Sequence, residues 1–192
     1  SLDDPQIYHL GTAGVVNRPF KTAGTFQIQF DVLKELGYPE IRTLEDYENA
    51  LLDYIEKYPE IDGQKTIGLS LLGSDWRWLI TVGNPSGFAA GWQDDGQWHV
   101  DEETGDTVYK FMTPELKEYF KWLNHMNDIG LLDPESFTQT HDTYISKLST
   151  GRVIGIADQE WNYSQALAVL RQDGKTNRLF APLPVTLNED LL

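Results

Sequence analysis

Two short runs of this sequence place a carboxylate and an indole just after an apolar stretch. Thr66-Ile67-Gly68-Leu69-Ser70-Leu71-Leu72 leads into Gly73-Ser74-Asp75-Trp76-Arg77-Trp78, and Val153-Ile154-Gly155-Ile156-Ala157 leads into Asp158-Gln159-Glu160-Trp161. An indole plane packs against the C–H face of a ring, and a carboxylate accepts hydrogen bonds from hydroxyl groups. If both stretches are strands of one mostly parallel sheet, both clusters leave at its carboxyl edge, where open α/β sheets hold ligand crevices. The pattern points to binding of a polar, ring-containing molecule.

Each candidate also has a purely structural reading. Trp161 either stacks on a ligand or packs on the sheet, and Asp158 either accepts from that ligand or caps the helix expected to begin near Gln159. Strand-like alternation through Asp75-Trp76-Arg77-Trp78 puts Trp76 and Trp78 on one side, either as ligand contacts beside Asp75 or as cover for a helix end or hairpin. Trp92, in the Gly- and Asp-rich run 90–96, is a ligand contact or a loop anchor. Asp94-Asp95-Gly96 hints at a calcium loop, but Gly91 and Gln93 stand where acidic ligands are needed and Glu102 alone fits. His9, His99, His125 and His141 lack paired ligand spacing, so no metal and no cofactor is expected. No nucleophile elbow, phosphate loop or dinucleotide fingerprint occurs, so no catalytic residue is assigned. Asp158 with Glu160, or Asp75 with either, leaves a glycosidase-type carboxylate pair as an alternative.

The elements that must position these groups follow from periodicity. Thr25 to Phe30 alternates as a half-buried strand, and Asp31 to Leu36 starts a short helix stopped by Gly37. Thr43 with Asp46 makes a capping box for a helix whose Leu44, Tyr47, Leu51 and Tyr54 share one face. Trp98–Val100 and Thr107–Tyr109 flank a hairpin, a small β excursion in a segment from 83 to 107 that is rich in Gly, Asn and Asp. Thr113-Pro114 opens a long helix ended by Gly130; shorter helices are expected from Asp142 to Ser149 and from Asn162 to Arg171. Phe180 to Val185 is extended because Pro182 and Pro184 cannot continue a helix. The class is α/β, a layered sheet flanked by helices.

The chain has 192 residues, 40% of them hydrophobic, enough for one sizeable core. Fifteen Lys and Arg against 30 Asp and Glu give a formal charge of -15, which repels nucleic acid. Cysteine is absent, which excludes disulfides and thiolate chemistry. No run approaches the roughly 20 apolar residues of a membrane span.

Leu33-Lys34-Glu35-Leu36-Gly37-Tyr38-Pro39 with Thr43-Leu44-Glu45-Asp46-Tyr47 and Ala50-Leu51 resembles a stretch of the extracellular solute-binding proteins of family 1, lipoproteins that serve ABC importers. Thr113-Pro114-Glu115 through Gly130-Leu131-Leu132-Asp133-Pro134-Glu135-Ser136-Phe137, and Lys147 through Gly155, are similar to the same family. The resemblance implies one lobe of a type 2 periplasmic-binding-protein-like fold. Residues 1–24 would end the first lobe, 25–185 would form the second, and 186–192 would be a tail. It further implies a fragment of a cell-surface receptor whose lipid anchor lies outside this chain and whose parent meets ABC-transporter membrane subunits. Six Trp and nine Tyr beside acidic residues favour a carbohydrate or oligosaccharide as the small-molecule ligand. A peptide-binding receptor, a carbohydrate-active enzyme domain and a structural module with core tryptophans are the alternatives.

Overall fold

The computed structural model describes residues 24–92, 97–101 and 104–191. The irregular segment expected at 1–24 and the weak calcium motif of 94–96 and Glu102 lie outside these residues, apart from Gly24.

The chain enters strand β1 (Phe26–Gln29) and turns into helix α1 (Phe30–Glu35). Helix α2 (Leu44–Lys57) starts at the anticipated capping box, in which Thr43 Oγ1 accepts from Asp46 N at 3.1 Å and Asp46 Oδ2 accepts from Thr43 N at 2.9 Å. A small hairpin, β2 (Glu60–Ile61) and β3 (Gln64–Lys65), leads into β4 (Ile67–Ser70). After β4 comes an unexpected helical run, a π-turn at Leu79–Gly83 that continues into α3 (Asn84–Ala89). Strands β5 (Trp98–Val100) and β6 (Thr107–Tyr109) form the expected hairpin. Helices α4 (Pro114–Asp128) and α5 (His141–Thr150), strand β7 (Val153–Ala157), helix α6 (Glu160–Gln172) and strand β8 (Phe180–Leu183) complete the order.

The main sheet has the order β4-β7-β1-β8 and is mixed, not mostly parallel. β4 and β7 are parallel, with Leu69 opposite Gly155, whereas β1 runs antiparallel to both β7 and β8. The one parallel pair is the pair that carries both acid and indole clusters, so both leave at the same end. β1 is buried along its whole length rather than half-buried, because it lies inside the sheet with helices on both faces. Its polar positions are satisfied internally: Gln29 Nε2 donates to the carbonyls of Gly151 and Val153, and Gln27 Nε2 donates to the carbonyl of Asp158 at 2.7 Å.

Helices α2 and α4 cover one face, where Tyr47, Leu51, Tyr119, Leu123 and Met126 pack with Phe26, Ile28, Leu69 and Ile154. On the other face α5 and α6 bring Tyr144, Leu148, Tyr163, Ala166 and Leu167 against Leu72, Val153, Ile156 and Phe180. Gly155 permits the close approach of α2. A Cβ there would meet the Tyr47 hydroxyl and lie 2.8 Å from the Gly68 carbonyl, so the absent side chain lets Tyr47 reach the Gln27 carbonyl at 2.8 Å. The residues after 185 are tied to this body: Thr186 N donates to the Arg42 carbonyl, and Leu187 N to that of Ala89.

Candidate functional site

At the carboxyl end of β4 the chain winds instead of extending. Trp78 N donates to the Asp75 carbonyl at 3.0 Å, Leu79 N to that of Trp76 and Thr81 N to that of Arg77, so helical turning begins at Asp75. Buried Thr81 fastens this turn to the strand exit, its hydroxyl donating to the Leu72 carbonyl at 2.9 Å while Leu72 N donates back to it. In a helical turn, residues two apart point away from each other. The expectation that Trp76 and Trp78 share a side is therefore corrected: Trp78 packs inward on Phe111, with ring centroids 5.6 Å apart, while Trp76 is 55% exposed.

At the end of β7, Gln159 occupies the N-cap position and Trp161 falls in the first turn of α6, 57% exposed. The rings of Trp76 and Trp161 meet there, stacked with centroids 6.1 Å apart and planes inclined by 9°. Two residues separated by 85 positions thus make one exposed aromatic surface because their strands are parallel neighbours.

Asp158 lies beneath this surface and is fully buried. Its Oδ2 accepts from the Tyr144 hydroxyl at 3.0 Å and from Asn162 Nδ2 at 2.8 Å, and its Oδ1 accepts from Gln159 N at 2.6 Å. It therefore braces the entry to α6 from inside, one residue before the N-cap. Burial pushes its carboxyl up to about 7, against the opposing pull of the donors from Asn162, Gln159 and Tyr144 and of the Arg77 charge. The Tyr144 hydroxyl is in turn pushed far up by burial first and by the Asp158 charge second.

Asp75 sits at the rim, paired with Arg77: Oδ2 to Nη1 at 2.5 Å, and Oδ1 accepting from Arg77 N at 2.8 Å. Arg77 then reaches across the gap between the turns, donating from Nε to Asn162 Oδ1 at 3.1 Å. Its guanidinium carbon also lies 5.1 Å from the Trp76 ring centre, a cation–π contact. His141 adds a further tie, its Nε2 lying 3.1 Å from the Asn162 carbonyl. The polar chain Asp75-Arg77-Asn162-Asp158-Tyr144 underlies the indole pair, and only its two acids stand out in the sequence. Arg77 and Asn162 each directly follow a site tryptophan, and that adjacency is the signal they offered.

Trp92 is placed elsewhere. Its ring stacks on His99 at 4.4 Å and 12°, and it lines an apolar cleft of about 310 Å³ with Phe26, Phe88 and Val185. It anchors the hairpin segment and does not join the Trp76–Trp161 surface. Among the described residues no group of three or more His, Asp or Glu side chains could hold a metal ion, and no helix is long and apolar enough to cross a membrane.

No protein-family model matches the chain, and no curated protein matches it in sequence. Solved structures do resemble it. The ABC-transporter substrate-binding protein FusA of S. pneumoniae, in complex with kestose, aligns with a TM-score of 0.58 at 20% identity over 74% of this chain and 29% of that one. An HMO-binding, ABC-transporter-associated solute-binding protein from Bifidobacterium longum infantis gives 0.62 at 18% identity, over 86% of this chain and 35% of that one. An extracellular solute-binding protein from Bifidobacterium longum subsp. infantis gives 0.56 at 18%, over 78% and 33%. The chain thus spans about a third of the length of these neighbours. At such identities the likeness is one of architecture: this α/β chain, with its helices on both faces of a mixed sheet, has the fold of part of an ABC-transporter solute-binding protein.

Proposed function

We propose that this chain is the second lobe of an extracellular solute-binding protein that captures an oligosaccharide for an ABC importer. One observation carries the reading: two indoles, each more than half exposed, lie parallel at the carboxyl ends of adjacent parallel strands. Exposed aromatic pairs are costly to leave in water and suit a ligand with an apolar ring face. The proposal of an importer role for the whole protein is supported by neighbours named as substrate-binding or solute-binding proteins of ABC transporters. In the parent, a first lobe would close over this surface, and membrane subunits and a lipid anchor would complete the importer at the cell surface.

The spacing constrains how a sugar would sit. A ring held between two indoles needs a gap of about 7 to 8 Å, two carbon contacts of 3.5 to 4.0 Å. Centroids 6.1 Å apart leave no such slot, so the ligand would lie across the outer side of the pair. Asp75 at the rim is the nearer candidate for a hydroxyl acceptor, and Asp158 supports the turn from below. This also weakens the enzyme alternative. A glycosidase needs two carboxyl groups facing one glycosidic bond, whereas Asp158 is enclosed by three donors and Asp75 is ion-paired.

Calorimetric titration of the chain with kestose, maltotetraose and cellotetraose tests the reading. Saturable binding of at least one sugar, weakened tenfold or more in Trp161→Ala, supports it. Tight binding of a peptide with no response to any of the three sugars sinks it.

A further inference from the structure

Trp76 and Trp161 are more than half exposed, so the core fixes neither ring. Arg77 touches the Trp76 ring directly and reaches the turn that carries Trp161 through its neighbour Asn162. It grips Asp75 in its own turn through two hydrogen bonds, lies over the Trp76 ring, and crosses to Asn162, the residue next to Trp161. Its side chain is 23% exposed, so the link is partly shielded from water. Only a planar guanidinium presents several donors in a rigid fork and stacks on an aromatic at the same time; an ammonium in its place would serve one acceptor as a point charge.

We infer that Arg77 is a positioning residue. By clamping Asp75 to Asn162 it presets the two indoles at the spacing at which the ligand is received, so the surface is formed before a sugar arrives. The inference rests on the oligosaccharide reading for its consequence, but the clamp itself is a property of the unliganded chain. Preorganisation of this kind raises affinity by removing an ordering cost that binding would otherwise carry.

The test compares the 192-residue chain with Arg77→Met, which keeps the length of the side chain and loses the fork, and with Arg77→Lys. Proton NMR reads the cross-relaxation between the rings of Trp76 and Trp161, assigned with Trp76→Phe and Trp161→Phe. The signal falls with the sixth power of distance. Separation of the rings to about 8 Å, twice a carbon contact, cuts it about fivefold from its value at 6.1 Å. The expected result for Arg77→Met is a loss of that size, with the Trp78–Phe111 signal unchanged as the internal control, and affinity for the tightest of the three sugars reduced about tenfold. Arg77→Lys should recover part of both. A Trp76–Trp161 signal that survives intact in Arg77→Met overturns the inference. If that variant does not fold, Asn162→Ser removes the other end of the clamp; loss of the ring signal there supports the inference and retention overturns it. Should the unaltered chain bind no sugar, the proposed function falls, while the ring signal still decides the role of Arg77.

Discussion

Replacing Asp158 with asparagine has an effect whose size and sign follow from the buried carboxyl. Enclosed among Tyr144, Asn162 and Gln159, it is pushed up to about 7 by burial. In the unfolded chain an Asp titrates near about 3.9. Between these values the folded state holds a proton that the unfolded state has released, so folding is favoured as pH falls through about 7 and the gain is complete below about 4. The difference corresponds to roughly 4 kcal/mol, an upper value because structural relaxation around a buried charge reduces it. The asparagine side chain of Asp158→Asn carries no charge at any pH. It can still accept from Tyr144 and Asn162, but its amide opposes Gln159 N, a fixed cost of about 1 kcal/mol. Urea unfolding of both proteins from pH 4.5 to 8.5 isolates the term, since every other carboxylate cancels in the comparison. The variant should be slightly less stable at pH 4.5 and overtake the parent chain as pH rises, by up to about 3 kcal/mol at pH 8.5. A stability difference that moves the opposite way, with the unaltered chain gaining relative to the variant as pH rises, would mean that the three donors and Arg77 outweigh burial, and would refute the reasoning.

Trp161→Ala should cost the fold only about 1 kcal/mol by thermal denaturation, because less than half of the residue is covered, yet it should weaken sugar binding at least tenfold; the reverse pattern would make Trp161 a packing residue. Gly155→Ala forces a Cβ against the Gly68 carbonyl and the Tyr47 hydroxyl and should destabilise by about 3 kcal/mol in urea unfolding, the upper part of the overpacking range, since a backbone oxygen cannot yield. Lys147→Met removes the partner of buried Asp133, whose Oδ2 lies 2.8 Å from Lys147 Nζ and also accepts from Ser70, and should cost about 3 to 5 kcal/mol by the same assay.

The elements that could be read from sequence are those governed by local rules. The capping box at Thr43, the Thr113-Pro114 start and the left-handed Gly151 that ends α5 are short-range chemistry, and they stand where periodicity put them. The helical run after Trp78 was hidden because Gly83, Pro85 and Gly87 are weak helix formers; tertiary packing of Ile80, Thr81 and Val82 overrides them. Sheet order is equally nonlocal. Nothing in Phe26-Gln27-Ile28-Gln29 announces a strand inside the sheet, because its glutamines mimic a solvent face while they bond to buried carbonyls. At the site, the meeting of Trp76 with Trp161 was foreseeable from the repeated strand–acid–indole order. The roles of the two acids were not, since the enclosure of Asp158 is completed by Tyr144 from α5, and the Arg77 that pairs with Asp75 is held by Asn162 of α6.

The most direct measurement follows the six indole N–H resonances while the chain is titrated with kestose, maltotetraose and cellotetraose. The indoles of Trp76 and Trp161 should shift together with one dissociation constant for the sugar that binds, while Trp78 against Phe111 and Trp92 against His99 stay in place. Saturable sugar binding that leaves Trp76 and Trp161 unmoved and shifts Trp92 instead would contradict the assignment of the site.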